Sequence, residues 1–258
     1  MNWTDIHLQN DMQDLYEYAT THRHGHFRVH FRGLLIHCID LLSLYMAGKD
    51  IFLHRIYDFT THNPNPCIID GGAHIGLFSL RAAQMHPTAT ILAFEPDEEA
   101  LALLRLNIQA NSIKNVTIIP AGLHNIDGTL SFSSRGDDGN TLYGNDANTT
   151  VQVTRLSRHL KHPVDFLKLN IEGSEWPVLE ECGCLLRNIH QLVLEYHAFP
   201  ELGDRLHCIL QILHEQGFRY MIHDFDAQTN AATKPPFLLE ADTRYFLLVA
   251  AKNMGITH

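Results

Sequence analysis

Residues 66–76 read Pro66-Cys67-Ile68-Ile69-Asp70-Gly71-Gly72-Ala73-His74-Ile75-Gly76. The apolar, partly β-branched run that ends at Ile69 predicts a short strand buried on both faces. A helical pattern begins after Gly76, so the stretch predicts a strand, a glycine-rich turn and a helix. The glycines let the backbone approach a ligand closely, and the helix N-terminus points unpaired N–H groups at that ligand. This order is typical of a nucleotide-binding α/β domain.

The next unit along the chain narrows the choice of nucleotide. Thr90 to Phe94 predicts a second strand, and Glu95 follows it directly. An acidic residue at this position accepts hydrogen bonds from a ribose diol. A nicotinamide dinucleotide favours G-x-G-x-x-G, whereas this turn has the order G-G-x-x-x-G and follows Asp70. Because a carboxylate repels a pyrophosphate but attracts a sulfonium, the turn favours S-adenosylmethionine.

Three motifs resemble the FkbM-type, class I S-adenosylmethionine-dependent methyltransferases. They are residues 70–76, residues 94–96 (Phe-Glu-Pro) and residues 166–175 (Phe-Leu-Lys-Leu-Asn-Ile-Glu-Gly-Ser-Glu). The third has the form L-K-x-D-x-E-G-x-E, which is the most particular to the family, and this chain carries Asn170 where the family usually has aspartate. The resemblance spans residues 63–250. It implies a Rossmann-like, seven-stranded, mostly parallel sheet with one reversed strand, and O-methylation of a small-molecule hydroxyl such as that of a sugar or natural product.

Composition excludes several other classes of protein. The 258 residues suffice for one large α/β domain with an appendage, and the formal charge of −10 argues against a nucleic-acid partner. Five scattered cysteines indicate neither a disulfide framework nor a zinc pair. The N-terminus does not resemble a signal peptide, and the apolar run from Leu34 to Met46 is too short and too polar to span a bilayer. We therefore expect a cytoplasmic protein without a membrane partner.

Residues 1–62 are expected to form a helical segment in front of a methyltransferase domain of residues 63–258. Apolar spacing predicts helices over residues 4–19, 34–47 and 50–59, and Asn63-Pro64-Asn65-Pro66 marks the boundary. Such helices would cover the substrate or join two subunits into a homodimer. The histidine-rich residues 20–33 are expected to form a polar loop that, together with residues 134–149, lines the acceptor pocket.

From residue 67 onward, strands and helices alternate, which predicts parallel strands with right-handed crossovers. Two further strands, at residues 129–133 and 150–156, flank the polar stretch 134–149. The carboxyl ends of the parallel strands meet at one edge of the sheet, where ligands bind. Polar side chains end several of these predicted strands, so this edge is the predicted active site.

The cofactor is expected to bind along the turn and the two strand ends that follow it. The backbone of the turn and the Asp70 charge would hold the methionine moiety, and Glu95 would accept hydrogen bonds from both ribose hydroxyls. By the family resemblance, Ala121 and Gly122 lie near the adenine. The complete predicted set is Asp70, Gly71, Gly72, Ala73, His74, Gly76, Glu95, Pro96, Ala121 and Gly122.

An alcohol acceptor benefits from a base that removes its proton. His197 is the first candidate because histidine titrates near neutral pH, and Glu172 is the second if burial raises its pKa. Lys168 and Asn170 share a face of one strand at a spacing of two, and both join the candidate catalytic set. A structural ion pair of Lys168 with Glu172 or Glu195 is the alternative to a catalytic role for that lysine.

Two alternatives to an active methyltransferase stay open at this point. Asn170 cannot act as a base, which leaves room for a binding module that has kept the fold but lost the activity. A nicotinamide-dependent oxidoreductase is the other alternative. Asp165, Glu172 and Glu195 offer oxygen ligands to a divalent cation, but no ligand spacing demands a metal, and none is expected.

Overall fold

The computed structural model describes residues 3–8, 11–132, 149–223 and 245–255. Its strands are β1 (Thr4–His7), β2 (His24–Phe31), β3 (Leu34–Asp40), β4 (Cys67–Gly71), β5 (Thr90–Phe94), β6 (Val116–Ile119), β7 (Gly122–His124), β8 (Gly128–Phe132), β9 (Thr149–Arg155), β10 (Val164–Leu169), β11 (Ile189–Ala198), β12 (Phe218–His223) and β13 (Tyr245–Asn253). Its α-helices are α1 (Asp11–Thr21), α2 (Leu41–Gly48), α3 (Leu77–Met85), α4 (Glu98–Ala110), α5 (Glu175–Cys182) and α6 (Leu206–Glu215).

A seven-stranded sheet in the order β12-β13-β11-β10-β4-β5-β6 forms the centre of the fold. The pairs β4–β5, β5–β6, β4–β10 and β10–β11 are parallel, whereas β13 runs antiparallel to both of its neighbours. Helices α3 and α4 pack on one face of the sheet together with the N-terminal segment, and α5 and α6 pack on the other. The predicted seven-stranded sheet with one reversed strand is confirmed.

The strands predicted at residues 129–133 and 150–156 exist, but they lie outside the central sheet. They form β8 and β9, which join β7 in a separate three-stranded sheet of order β7-β9-β8. Residues 133–148 lie outside the described residues. The predicted acceptor wall at residues 134–149 therefore stays a prediction.

The helical prediction for the N-terminal segment is wrong over much of its length. Residues 4–7 form β1 rather than the start of a helix, and the first helix begins at Asp11. The histidine-rich residues 24–31 form β2 instead of a loop, and β1, β2 and β3 make a three-stranded sheet. The third predicted helix is a π-helical turn, Lys49–His54, which ends at Arg55 in a left-handed conformation. The segment is thus a mixed α/β unit.

The helix predicted at residues 34–47 is wrong because this apolar run combines a strand with a short helix. Leu34, Ile36 and Cys38 are buried, while the residues between them are partly exposed, as the two-residue period of a half-buried strand requires. Asp40 then starts α2 by accepting hydrogen bonds from the backbone N–H groups of Leu42 (2.8 Å) and Ser43 (3.1 Å). A strand joined directly to a helix leaves apolar residues on every side of a helical projection.

Asn107 of α4 and Asn111, which directly follows this helix, attach the N-terminal sheet to the rest of the chain. Asn107 Oδ1 accepts from the His37 N–H at 2.6 Å, and Asn111 Oδ1 accepts from the Leu35 N–H at 2.9 Å. Their amide groups donate back to the carbonyls of the same two residues. These bonds satisfy an edge of β3 as a further strand would. The boundary at residues 62 and 63 and the homodimer stay predictions.

Among the helices of the described residues, none is long and apolar enough to cross a bilayer.

Candidate active site

The glycine turn after β4 is fixed by close contacts with the rest of the protein. The N–H groups of Gly72 (3.1 Å) and Ala73 (2.8 Å) donate to the Phe94 carbonyl of β5. Gly72 has a φ of +75°, and a Cβ there would lie 1.8 Å from the Asn170 carbonyl oxygen. The Asn170 carbonyl in the loop after β10 therefore already requires glycine at position 72, independently of any ligand that approaches the turn.

Asp70 and Lys168 form a buried ion pair beneath this turn. Asp70 is 0% exposed and accepts from Lys168 Nζ at 3.0 Å and from Ser79 Oγ at 2.7 Å. Lys168 also donates to the Gly72 carbonyl at 2.5 Å. Lys168 thus forms a structural ion pair, which was the alternative to a catalytic role. Its partner is Asp70 and not Glu172 or Glu195. The Asp70 charge is already compensated, so the predicted attraction of a sulfonium to Asp70 would require this pair to open.

Glu95 ends β5 with its carboxylate held against the turn. Its side chain is buried and accepts from the His74 N–H at 2.7 Å through Oε2 and from the Asp97 N–H at 2.9 Å through Oε1. Burial raises the pKa of Glu95 to about 7, although these two bonds favour the ionised form. Each oxygen keeps a second lone pair, so the carboxylate fits a ribose diol.

The predicted adenine side lies next to Glu95. Ala121 follows β6 and is buried, and a Cβ added at Gly122 would lie 3.4 Å from Pro96 Cγ. Pro96, Ala121 and Gly122 are therefore brought together beside the Glu95 carboxylate. Gly71 and Gly76, which bracket the turn, face protein neighbours: an added Cβ would lie 2.9 Å from Leu123 Cδ1 or 2.4 Å from Leu104 Cδ1, respectively.

His197 is clamped between two glutamates at the carboxyl ends of β10 and β11. Its Nδ1 lies 2.9 Å from Glu175 Oε1, and its Nε2 lies 3.3 Å from Glu172 Oε1. Burial alone would lower the pKa of His197, but the two carboxylates overcome this effect and raise it well above its usual value. The clamp therefore holds an imidazolium, which is a poor proton acceptor. This arrangement weakens the reason for which His197 was predicted to be the base.

Glu175 was absent from the predicted site residues. Besides His197, it accepts from the N–H groups of Ile171 (3.3 Å) and Gly173 (3.0 Å), and so it fixes the loop between β10 and α5. Asn170 in that loop donates its N–H to the Gly71 carbonyl at 3.1 Å. The last acidic position of the motif at residues 166–175 was the available signal for Glu175.

Tyr57 and Glu195 form a second pair that the sequence did not reveal. Tyr57 is 4% exposed, and its hydroxyl donates to Glu195 Oε1 near the carboxyl end of β11. The Tyr57 ring centroid lies 5.7 Å from Lys168 Nζ and 5.3 Å from the Phe78 ring centroid. The N-terminal segment thus places an aromatic residue at the predicted active-site edge.

The three carboxylates considered for a metal do not come together. Asp165 lies at the amino end of β10, where it accepts from Thr61 Oγ1 (2.8 Å), Asn63 Nδ2 (3.0 Å) and the Cys67 N–H (2.9 Å). Glu172 and Glu195 lie at the opposite end of the strands. Within the part of the chain that the structure describes, no group of three or more histidine, cysteine, aspartate or glutamate residues is arranged to hold a metal ion.

Two pockets lie at opposite edges of the central sheet. One of about 240 Å³ adjoins His197 and is bordered by Trp176, Tyr196 and Arg205. Because ligand pockets usually measure roughly 300–1,000 Å³, it would hold only part of a small acceptor. The other, of about 680 Å³, lies by the turn between β2 and β3 and the C-terminal end of α4, at the opposite edge of the sheet.

The sheet order, the glycine turn after β4 and the carboxylate that ends β5 are those of a class I S-adenosylmethionine-dependent methyltransferase. Residues 70–220 match the methyltransferase FkbM domain, and the chain belongs to this family. The methyltransferase sdnD of Sordaria araneosa is 29% identical over 199 residues, which cover 60% of this chain and 77% of the relative. Methyltransferase 1 of Beauveria bassiana is 28% identical over 166 residues, which cover 54% and 67%. These matches contradict the alternative of a nicotinamide-dependent oxidoreductase.

A solved structure supports the fold at low sequence identity. The crystal structure of M. jannaschii TYW2 in complex with AdoMet superposes with a TM-score of 0.51 and 14% identity, covering 89% of this chain and 86% of that chain. At this identity the likeness establishes the fold alone.

The histidine clamp predicts how stability depends on pH. Because the pKa of His197 is raised in the folded protein, its protonation stabilises the fold fully below the unfolded pKa of about 6.5, and this stabilisation is lost as pH rises through the folded pKa. Glu172→Gln removes one of the two carboxylates, so the loss is expected at lower pH. Denaturant unfolding of both proteins across this pH range measures the difference. Identical pH profiles would contradict the clamp.

Proposed function

We propose that this methyltransferase transfers the methyl group to a hydroxyl oxygen of a small molecule, such as a sugar or natural-product hydroxyl. The observation that carries the proposal is the presence of carboxylates next to the glycine turn of residues 71–76, which we call the cofactor turn because it is the proposed site of the methionine moiety. Glu172 and Glu195 lie at the carboxyl ends of β10 and β11, and the loop after β10 touches Gly72 through Asn170. An alcohol must lose its proton during methylation, and a positioned base contributes about 10²–10⁴-fold.

The remaining residues would hold and orient the cofactor. The backbone of the turn would bind the methionine moiety, Glu95 the ribose, and Ala121 with Gly122 the adenine. When bound, S-adenosylmethionine supplies a methyl group on a positively charged sulfur. Alignment of the acceptor oxygen with that methyl group is the main task of the protein and is worth up to roughly 7–11 kcal/mol of the barrier.

Two features support a small acceptor. Tyr57 and the segment around it are packed against the carboxyl edge of β11, which leaves less room there for a macromolecule. The formal charge of −10 disfavours a nucleic acid, because phosphate binding needs a basic surface. Asn170 favours a second candidate, a binding module without activity, because an amide cannot replace the aspartate of the family motif as a base.

A transfer assay separates these candidates. The protein is incubated with methyl-labelled S-adenosylmethionine and four acceptors: methyl α-glucoside, catechol, benzylamine and dithiothreitol. Label on oxygen of the glucoside or catechol is expected. Transfer only to the amine or the thiol would overturn O-methylation. Cofactor binding without transfer to any of the four would support the inactive binding module.

A further inference from the structure

We infer that Glu195 accepts the proton of the acceptor hydroxyl and that Tyr57, from the N-terminal segment, positions its carboxylate. The inference rests on the proposed hydroxyl methylation and deepens it by assigning the base.

The position of Glu195 relative to the cofactor turn is the first argument. Lys168 pairs in register with Val193, two residues before Glu195, so the lysine and the glutamate lie on the same face of the sheet. Lys168 Nζ contacts the turn carbonyl of Gly72 at 2.5 Å and lies 5.7 Å from the Tyr57 ring centroid. The Tyr57 hydroxyl in turn donates to Glu195 Oε1. Glu195 is thus separated from the turn by one tyrosine ring and one lysine side chain.

The second argument is that one oxygen of Glu195 remains available. Over the described ranges, Tyr57 is the only hydrogen-bond donor to this carboxylate, and it binds Oε1. Glu195 is partly exposed as a residue, and we assign the incoming proton to Oε2 because Oε1 is held by Tyr57. His197 differs, because both of its ring nitrogens face carboxylates, those of Glu175 and Glu172.

The charges around Glu195 suit a base at neutral pH. Burial raises the pKa of Glu195 to about 7, the charge of His197 lowers it, and that of Asp50 raises it again. Tyr57 donates to this carboxylate, and Lys168 lies on the same face with its partner Asp70. Asn170 follows Lys168 at a spacing of two, and the β13 neighbour of Glu195 in register, Leu248, is apolar. A base is most effective when its pKa lies near the working pH.

The proposed step is balanced without any further reactant. The oxygen–hydrogen bond of the acceptor breaks, and its proton passes to Oε2 of Glu195. The acceptor oxygen forms a bond to the methyl carbon while the carbon–sulfur bond breaks and leaves its electron pair on sulfur. Glu195 then returns the proton to solvent. Tyr57 holds the carboxylate through Oε1 during the transfer, which makes Tyr57 a positioning residue.

The test combines carboxyl titration with kinetics on the wild type, Glu195→Gln, Tyr57→Phe and His197→Gln. Side-chain ¹³C NMR of labelled glutamate, assigned by the resonance missing in Glu195→Gln, is expected to show a midpoint of about 7. Tyr57→Phe keeps the ring but removes the donor to the carboxylate, so the midpoint is expected to rise by about one unit. If the tyrosine hydroxyl had only a structural role, the titration midpoint of Glu195 would stay unchanged.

The kinetic measurements use either methyl α-glucoside or catechol, whichever of the two is methylated faster. Glu195→Gln is expected to lower kcat by about 10²–10⁴-fold and to abolish the inflection that the wild type shows near neutral pH. His197→Gln is expected to keep an inflection but to move it to higher pH, because the His197 charge that lowers the pKa of Glu195 is then absent. Calorimetric binding of S-adenosylmethionine, unchanged in Glu195→Gln, shows that the variant is folded. Retained kcat and inflection in Glu195→Gln would overturn the role of Glu195 alone. Failure of the wild type to methylate either hydroxyl would overturn the proposed function and with it this inference.

Discussion

Replacing Lys168 by methionine is expected to lower the free energy of unfolding by about 3–5 kcal/mol, because it leaves the Asp70 carboxylate buried without its cation. Asp70 is 0% exposed and would retain only its bond from Ser79 among the two side-chain partners described. Denaturant unfolding followed by circular dichroism measures the change. Lys161→Met is the matched control, since Lys161 is exposed and the same chemical change there should be nearly neutral.

The double variant Lys168→Met with Asp70→Asn isolates the ion pair. Removing the second charge is expected to recover a large part of the lost stability, because no unpaired charge is then buried. If Lys168→Met costs no more than Lys161→Met, the account of a compensated Asp70 beneath the cofactor turn is contradicted.

Gly72→Ala is expected to lower the free energy of unfolding by about 2–5 kcal/mol. A left-handed conformation costs an alanine about 1–2 kcal/mol, and the displaced Asn170 carbonyl adds a steric cost of roughly 1–3 kcal/mol. The added Cβ would lie 1.8 Å from that carbonyl oxygen, so the turn and the β10–α5 loop must separate. Affinity for S-adenosylmethionine is expected to fall as well, because the turn would no longer be held in place.

Gly33→Ala provides a control with nearly the same backbone conformation. Gly33 has a φ of +77°, against +75° for Gly72, but nothing lies within 4 Å of its added Cβ. It should therefore cost only the conformational term of about 1–2 kcal/mol and leave cofactor binding unchanged. Equal costs for the two variants would show that the contact between Gly72 and Asn170 is not tight.

The cofactor turn was readable from the sequence because its determinants are local. Eleven consecutive residues, 66–76, carry the buried strand, the glycines and the helix start, and Glu95 follows the next apolar run. Local patterns say less about which side chains meet across the sheet. The pairs Lys168–Asp70 and Tyr57–Glu195 join residues 98 and 138 positions apart in the chain. Tyr57 lacked any motif that would have marked it.

The N-terminal segment shows where apolar patterning becomes ambiguous. Residues 34–47 are apolar enough for a buried helix, and the change from strand to helix at Asp40 is marked only by a capping aspartate. The partner of the β3 edge is also unusual, because it consists of the Asn107 and Asn111 side chains rather than another strand. Such a contact depends on the tertiary arrangement of α4 and has no signature in β3 itself.

The carboxylates at the strand ends divide into different tasks. Asp70 is neutralised by Lys168 and supports the turn, whereas Glu95 has both oxygens directed at the turn and at the start of α4. Glu175 holds the loop after β10. Among the hydrogen bonds of the described residues, Glu195 uses Oε1, which leaves Oε2 for the proposed proton transfer. This division would allow one acidic edge to bind the proposed cofactor and to accept the proton in the proposed transfer.

The most direct measurement is calorimetric titration of the wild type and Glu95→Gln with S-adenosylmethionine, S-adenosylhomocysteine and NAD, about one unit below and above the Glu95 pKa of about 7. Micromolar binding of the first two is expected in the wild type, and it should tighten as pH rises, because the ionised carboxylate accepts both ribose hydroxyls. Glu95→Gln should bind at least about tenfold more weakly at the higher pH and lose this pH dependence. Thermal unfolding without ligand controls for the bonds to His74 and Asp97. Unchanged affinity and pH dependence in Glu95→Gln, or binding of NAD alone, would contradict the account.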